Sequence, residues 1–110
     1  MTRMPIDYLP GTLETLILKT LTRGPMHGYG IARWIEEATD DALPVEEGSL
    51  YPALYRMEKR GWVDAEWGTS ELGRRAKFYR LTRQGRHQVA EDTKAWTVFA
   101  QAVNRVMVGA

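Results

Sequence analysis

Apolar residues recur every three or four positions in the first part of the chain, which is the spacing of an amphipathic helix. The pattern predicts a first helix over residues 12–21, with Thr12 as its N-cap. It predicts a second helix from Gly28 to about Thr39. An acidic stretch that contains a proline follows, and we expect it to connect this helix to the next one.

A third helix is predicted to open at Gly48 and to close at Gly61, and its two faces differ in chemistry. Pro52 falls in the first turn, where the N–H that proline lacks would have no helical partner. One face is apolar and is expected to join the core: Leu50, Ala53, Leu54 and Met57. The opposite face offers hydroxyls, aromatic rings and two cations: Tyr51, Tyr55, Arg56 and Lys59.

Side chains alternate after Gly61, and this alternation predicts a two-stranded β-hairpin. Its strands are expected over residues 62–67 and 75–81. Thr82 is a favourable N-cap for a last helix over residues 83–107, which would be about 37 Å long. The predicted fold class is therefore mainly α, with a small hairpin and a long C-terminal helix.

The last helix is longer than the core of so small a domain requires, and its apolar seam has coiled-coil spacing. We expect the seam to form the interface of a homodimer, because symmetric pairs are the commonest oligomers. The predicted interface residues are Val89, Trp96, Phe99, Ala100, Val103, Val106 and Met107. Trp96 either packs in that interface or offers its ring to a ligand. Asp92, one turn earlier, would favour a cationic aromatic ligand.

Length and composition place the chain in a narrow class. Its 110 residues fit one domain, and 44% hydrophobic residues suffice for a core. The absence of cysteine excludes disulfides and thiolate metal sites, and it fits a cytoplasmic protein. No apolar run approaches the roughly 18 residues that a membrane helix needs. The first ten residues lack the pattern of a secretory leader.

An enzyme or a metalloprotein is poorly supported by the residue types present. The two histidines, His27 and His87, fall in different predicted elements, so a catalytic triad or a zinc site lacks ligands. His27 is expected instead to cap the second helix or to touch a phosphate. No glycine-rich nucleotide-binding motif occurs, and no cofactor is expected.

The formal net charge of +1 conceals an uneven distribution of charge. Six bases and no acid lie between residues 72 and 88, whereas six acids and no base lie between residues 36 and 47. The basic block is either an ordinary solvated face or a positive patch for a polyanion.

Three short helices followed by a hairpin form the element order of a winged helix-turn-helix domain. In that arrangement the third helix enters the major groove of duplex DNA and the hairpin lies along the neighbouring backbone. The candidate DNA contacts on the third helix are Ser49, Tyr51, Pro52, Tyr55, Arg56 and Lys59. Those on the hairpin are Arg74, Arg75 and Lys77. The alternative is a winged helix that binds protein rather than DNA, since a fold alone does not settle function.

Four ordered motifs resemble the PadR family of transcriptional regulators. They read GTLETLIL at 11–18, PMHGYGI at 25–31, EGSLYPALYRME with GWV at 47–63, and RRAKFYRLTRQG at 74–85. The resemblance implies that Ser49, Tyr51 and Pro52 lie on the recognition helix and Lys77 on the wing. It also implies that Tyr29 and Tyr79 occupy two further recurrent tyrosine positions, of which Tyr29 is a candidate DNA contact. The C-terminal helix is implied to pair two protomers.

The sequence thus predicts a homodimeric regulator that binds a near-palindromic operator. The resemblance implies a repressor that a small aromatic effector releases, with Trp96 lining the effector site. Residues 1–82 would form the DNA-binding domain and residues 83–110 the dimerisation helix.

Overall fold

Four helices and three strands form the fold in a computed structural model that describes residues 11–109. In chain order they are α1 (Thr12–Leu21), β1 (Met26–His27), α2 (Gly28–Ala38), α3 (Glu47–Lys59), β2 (Val63–Thr69), β3 (Arg75–Leu81) and α4 (Arg83–Met107). The predicted bounds of α1, β3 and α4 are confirmed, and those of the other predicted elements lie within two residues of the observed ones. The first ten residues, for which the sequence predicts no leader, lie outside the described residues.

The predicted hairpin is present as β2 and β3, but the sheet has three strands rather than the two expected. The additional strand β1 pairs antiparallel with β3, with Met26 opposite Tyr79 and His27 opposite Phe78. The strand order is therefore β1-β3-β2. Because β1 has only two residues, it shows no alternation in the sequence, and it ties the start of α2 to the hairpin.

The core lies between the first three helices and the base of the sheet. The predicted apolar face of α3 is confirmed, because Leu50, Ala53, Leu54 and Met57 are all buried. Thr20 is the one buried polar side chain in the described part of the chain. Its hydroxyl donates to the carbonyl of Leu16 at 2.8 Å, which satisfies the buried group within its own helix.

Side chains cap two of the helices. The Nδ1 atom of His27 accepts a hydrogen bond from the N–H of Gly30 at 3.0 Å at the start of α2, one of the two roles expected for this residue. Thr82 caps α4 as predicted, because its hydroxyl accepts from the N–H of Gly85 at 3.0 Å. Thr12 is not the N-cap of α1, since Gly11 takes that position with φ 84° and Thr12 is the first helical residue.

The first turns of α4 contribute two residues, Gly85 and Val89, to the core of their own chain. Val89, which the sequence assigned to a dimer interface, is only 6% exposed. Asp92 follows it and accepts from the Thr15 hydroxyl at 3.2 Å and from the Gln88 amide at 2.8 Å. The bond from Thr15 joins α4 to α1, whereas the bond from Gln88 lies within α4. Because Val89 is buried, it packs in the core of its own chain rather than on an exposed face of α4, which corrects its assignment to the interface. From residue 93 to residue 109 every side chain except Ala100 is exposed.

The described residues contain neither a membrane-spanning helix nor a cluster of metal-binding side chains. Between residues 11 and 109, no helix combines the length and the apolar character needed to cross a membrane. Over the same range, no group of three histidine, aspartate or glutamate residues could hold a metal ion.

Candidate nucleic-acid interface

The outward face of α3 is free of core contacts, as its sequence predicts. Tyr51 is 44% exposed and Tyr55 is 62% exposed. Pro52, Arg56 and Lys59 are also exposed, and Ser49 is half-buried. Because the buried face of the same helix fixes its rotation, these side chains are presented to solvent on a rigid element.

Tyr51 is oriented by a close approach between α3 and the start of α2. A Cβ atom at Gly28 would lie 2.7 Å from the Tyr51 hydroxyl and 2.8 Å from its ring. Only a glycine at this position leaves room for the Tyr51 ring where it lies. The conformation of Tyr51, a candidate base-contacting residue, therefore depends on Gly28, which lies in another motif.

One face of the hairpin is buried near the base of the sheet and exposed to solvent further along the strands. Near the base of the sheet, Ala65 lies opposite Tyr79, which is only 6% exposed. Burial raises the pKa of the Tyr79 hydroxyl, so this group stays neutral. Two residues further along each strand, Trp67 lies opposite Lys77, and both project beyond the core. We call the part of the hairpin beyond the Ala65–Tyr79 pair, residues 66–78, the wing.

A groove between the wing, the start of α2 and α3 brings together residues from three separate motifs. Its lining includes Tyr29 and Tyr51 on one wall and Trp67, Arg74, Arg75 and Lys77 on the other. Tyr29 is 64% exposed, so the groove presents two phenol groups opposite three cations. We refer to it below as the wing groove.

The other predicted contacts lie outside the wing groove. Ser49, Pro52 and Arg56 line a neighbouring depression with Glu14 of α1. Tyr55 and Lys59 lie further along α3, and the Lys59 ammonium is 5.4 Å from the centre of the Tyr55 ring. The sequence-predicted set therefore follows α3 along its length rather than forming one compact pocket.

Two of the candidate cations are already paired with acids of the same chain. The Lys77 ammonium lies 3.3 Å from the carboxylate of Glu58. The guanidinium of Arg56 lies 3.4 Å from that of Glu14. Both pairs are accessible to water and are therefore weak, and a phosphate group would compete with them. No ion pair within residues 11–109 holds Arg74 or Arg75, both of which are exposed.

An acid at the tip of the wing, Glu71, lines the groove, and no sequence pattern predicted it. The Glu71 carboxylate lies 3.6 Å from Nε2 of His27 and is itself largely exposed. The ring of His27 packs edge-on against Phe78, with 5.3 Å between the ring centres. Glu71 adds a negative charge to a surface that is otherwise suited to phosphates.

We expect Glu71→Gln to raise the affinity for every DNA duplex, whatever its sequence. The substitution removes a charge that repels phosphates but keeps the shape of the side chain, so the gain should be about two- to fivefold. Fluorescence anisotropy at 50 mM salt would measure it. The control is Glu91→Gln, the same change on an exposed part of α4. An equal gain in both variants would show that only net charge matters.

The C-terminal half of α4 presents a second candidate surface. Trp96 is 50% exposed and Phe99 is 52% exposed, and their ring centres are 6.1 Å apart. Val103, Val106 and Met107 continue the same stripe and are exposed as well. Asp92 does not stand free beside it, because both of its carboxylate oxygens accept hydrogen bonds within the chain.

A profile described as the transcriptional regulator PadR-like family matches residues 17–91. The chain belongs to this family. PadR-like proteins are transcriptional regulators that bind DNA, so the candidate interface lies in a protein of a DNA-binding class. The family resemblance predicted from the four motifs is thus confirmed.

Solved structures and curated relatives agree with the PadR-like assignment. A transcriptional regulator of Clostridium thermocellum is 30% identical, with 92% of this chain and 98% of that chain covered and a TM-score of 0.81. A PadR-like transcriptional regulator of Bacillus cereus is 30% identical, with coverages of 94% and 99% and a TM-score of 0.79. A transcriptional regulator of Mycobacterium tuberculosis is 28% identical over 97 residues, which are 88% of this chain and 87% of the relative. These relatives are regulators rather than enzymes, as expected for this chain.

Proposed function

We propose that this PadR-like protein is a homodimer that binds a near-palindromic DNA operator and represses transcription. The wing groove carries the proposal, because it sets the phenols of Tyr29 and Tyr51 opposite the cations of the wing. In this arrangement α3 enters the major groove and the wing lies on the adjacent backbone.

The proposed DNA contacts are of two kinds, contacts with base edges and contacts with phosphates. We assign contacts with base edges to the hydroxyl groups of Tyr51 and of Ser49 beside it at the start of α3. Arg74 and Lys59 neutralise phosphates and contribute affinity without regard to sequence. Arg56 and Lys77 join them after exchanging their carboxylate partners for phosphates.

The exposed stripe of α4 supports the proposed dimer. A soluble chain rarely leaves a contiguous apolar patch with two aromatic rings open to water. Pairing the stripe with that of a second copy would bury Trp96 and Phe99 and would place two α3 helices on one face of the duplex. Successive half-sites would then lie about 34–36 Å apart. Residues 1–82 would bind DNA and residues 83–110 would hold the dimer together, with the first turns of α4 shared between the two units.

Repression would follow from occupancy of a promoter. A flat aromatic effector bound between the Trp96 and Phe99 rings of two protomers would release the operator only if it prefers a dimer geometry that separates the α3 helices. Asp92 does not contribute to this effector site, because its oxygens are engaged by Thr15 and Gln88.

Selection of binding sites from a random duplex library tests the function without knowledge of the operator. We expect a palindromic consensus whose affinity falls steeply between 50 and 200 mM salt. Failure to enrich any sequence, together with binding that salt hardly changes, would overturn the proposal and favour a winged helix that docks on protein.

Tyr51→Ala should lower the affinity for the selected site by about five- to a hundredfold, with little change for a random duplex. Arg74→Ala is the contrasting variant, because losing a phosphate contact should weaken both duplexes by the same factor. Anisotropy titrations of both duplexes give the ratio directly. An unchanged ratio in Tyr51→Ala would contradict the assignment of α3 as the recognition helix.

A further inference from the structure

Trp67 has no role in the core, although tryptophan is the largest apolar side chain. It is 56% exposed, whereas Trp34 and Trp62 pack against the core. Trp67 lies on the same face of the hairpin as Tyr79. This face is buried at Tyr79, and it is exposed to solvent further along the strands, where Trp67 lies. The ring therefore lies in the wall of the wing groove, facing the space that DNA would occupy.

The guanidinium of Arg75 lies on the Trp67 ring, 4.8 Å from its centre. The strand register explains this contact: Trp67 lies opposite Lys77 and Thr69 lies opposite Arg75, so Trp67 and Arg75 are diagonal neighbours on one side of the hairpin. A ring face attracts a cation without neutralising its charge. Arg75 is thus held in place and keeps its full positive charge, whereas Lys77 is paired with Glu58.

We propose that Trp67 is a positioning residue that orients Arg75 for insertion into a narrow, A·T-rich minor groove next to the site read by α3. The inference rests on the proposed function and specifies what the wing recognises. When α3 occupies a major groove, the wing beside it meets the adjacent minor groove. A·T-rich tracts narrow that groove and strengthen its negative potential, which attracts arginine.

The planar guanidinium makes arginine the suitable cation for this task. It stacks on an aromatic face and is less strongly hydrated than an ammonium group, so it enters a narrow groove more readily. Trp67 restricts Arg75 before DNA arrives, and less conformational freedom is then lost on binding. The wing would thereby recognise the shape of flanking DNA, in addition to the bases contacted by α3.

The experiment uses two duplexes with the same selected core, one flanked by A·T tracts and the other by G·C sequence of equal length. We expect the wild-type protein to prefer the A·T-flanked duplex by roughly 5- to 30-fold, because the narrower A·T minor groove attracts the Arg75 guanidinium more strongly. Trp67→Leu and Arg75→Lys should each abolish most of this preference. The double variant should lose no more than either single variant, because both remove the same contact. Trp67→Tyr keeps an aromatic face and should retain much of the preference.

Arg23→Lys is the matched control. Arg23 also stacks on a tryptophan, 4.9 Å from the Trp34 ring, but it does not line the wing groove. Its substitution should leave the flank preference unchanged. Thermal unfolding checks that each variant is folded.

The two possible failures are distinguishable. If the wild-type protein binds its selected core but Trp67→Leu weakens both duplexes equally, the positioning role is overturned and the regulator stands. An additive loss in the double variant also overturns it. If the wild-type protein enriches no core at all, both the function and this inference fail.

Discussion

Trp96→Asp should convert the protein from a dimer to a monomer at micromolar concentration. Trp96 lies at the start of the exposed stripe of α4, where its ring contacts that of Phe99. Removing a buried tryptophan side chain costs about 3–5 kcal/mol, and a symmetric interface suffers the loss twice. A desolvated carboxylate adds to it. We therefore expect the dimer dissociation constant to rise by at least about a hundredfold.

Val98→Asp provides the control for this experiment. Val98 is 68% exposed and lies two residues after Trp96, which turns it to the opposite side of α4. The two variants introduce the same charge into the same helix and differ only in the face that carries it. Sedimentation equilibrium should find Val98→Asp dimeric and Trp96→Asp monomeric. A dimeric Trp96→Asp would show that the stripe is not the interface.

The elements with strong periodicity could be predicted from the sequence, and the shortest one could not. The bounds of β3 and α4 follow from alternation and from the Thr82 cap, both of which are local signals. Strand β1 has two residues, and its pairing depends on β3, more than 45 positions further along the chain. No pattern within two residues can report a partner at that distance.

The candidate site was predictable in its composition but not in its electrostatics. The helical period placed Tyr51 and Tyr55 on the outer face of α3, and the structure has them exposed there. The pairing of Lys77 with Glu58 joins residues 19 positions apart on different elements, and only the packed fold brings them together. The same helical period assigned Val89 to the dimer stripe, because it cannot distinguish a contact within one chain from a contact between two.

Gly85 has no room for any side chain, although it lies in the first turn of a helix. A Cβ atom there would overlap the carbonyl oxygen of Trp62 and would lie 3.1 Å from the Leu81 side chain. That carbonyl accepts the N–H of Thr82 at 3.1 Å, while the Thr82 hydroxyl accepts from Gly85. The start of α4 is therefore joined to the beginning of β2 through backbone atoms that cannot move independently.

Gly85→Ala should destabilise the protein by about 3 kcal/mol, because relieving the overlap separates α4 from the sheet and weakens the Thr82 hydrogen bond. The loss corresponds to a fall of more than about 10 °C in Tm for a domain of this size.

Gly48→Ala is the control: Gly48 also lies in a first helical turn, but a Cβ atom there meets nothing within 4 Å. Its Tm should be unchanged or slightly higher, since alanine restricts the unfolded chain. Calorimetry at one protein concentration keeps the effect of dimerisation constant. Equal Tm values for the two variants would show that Gly85 does not lie against the Trp62 carbonyl at the start of the sheet.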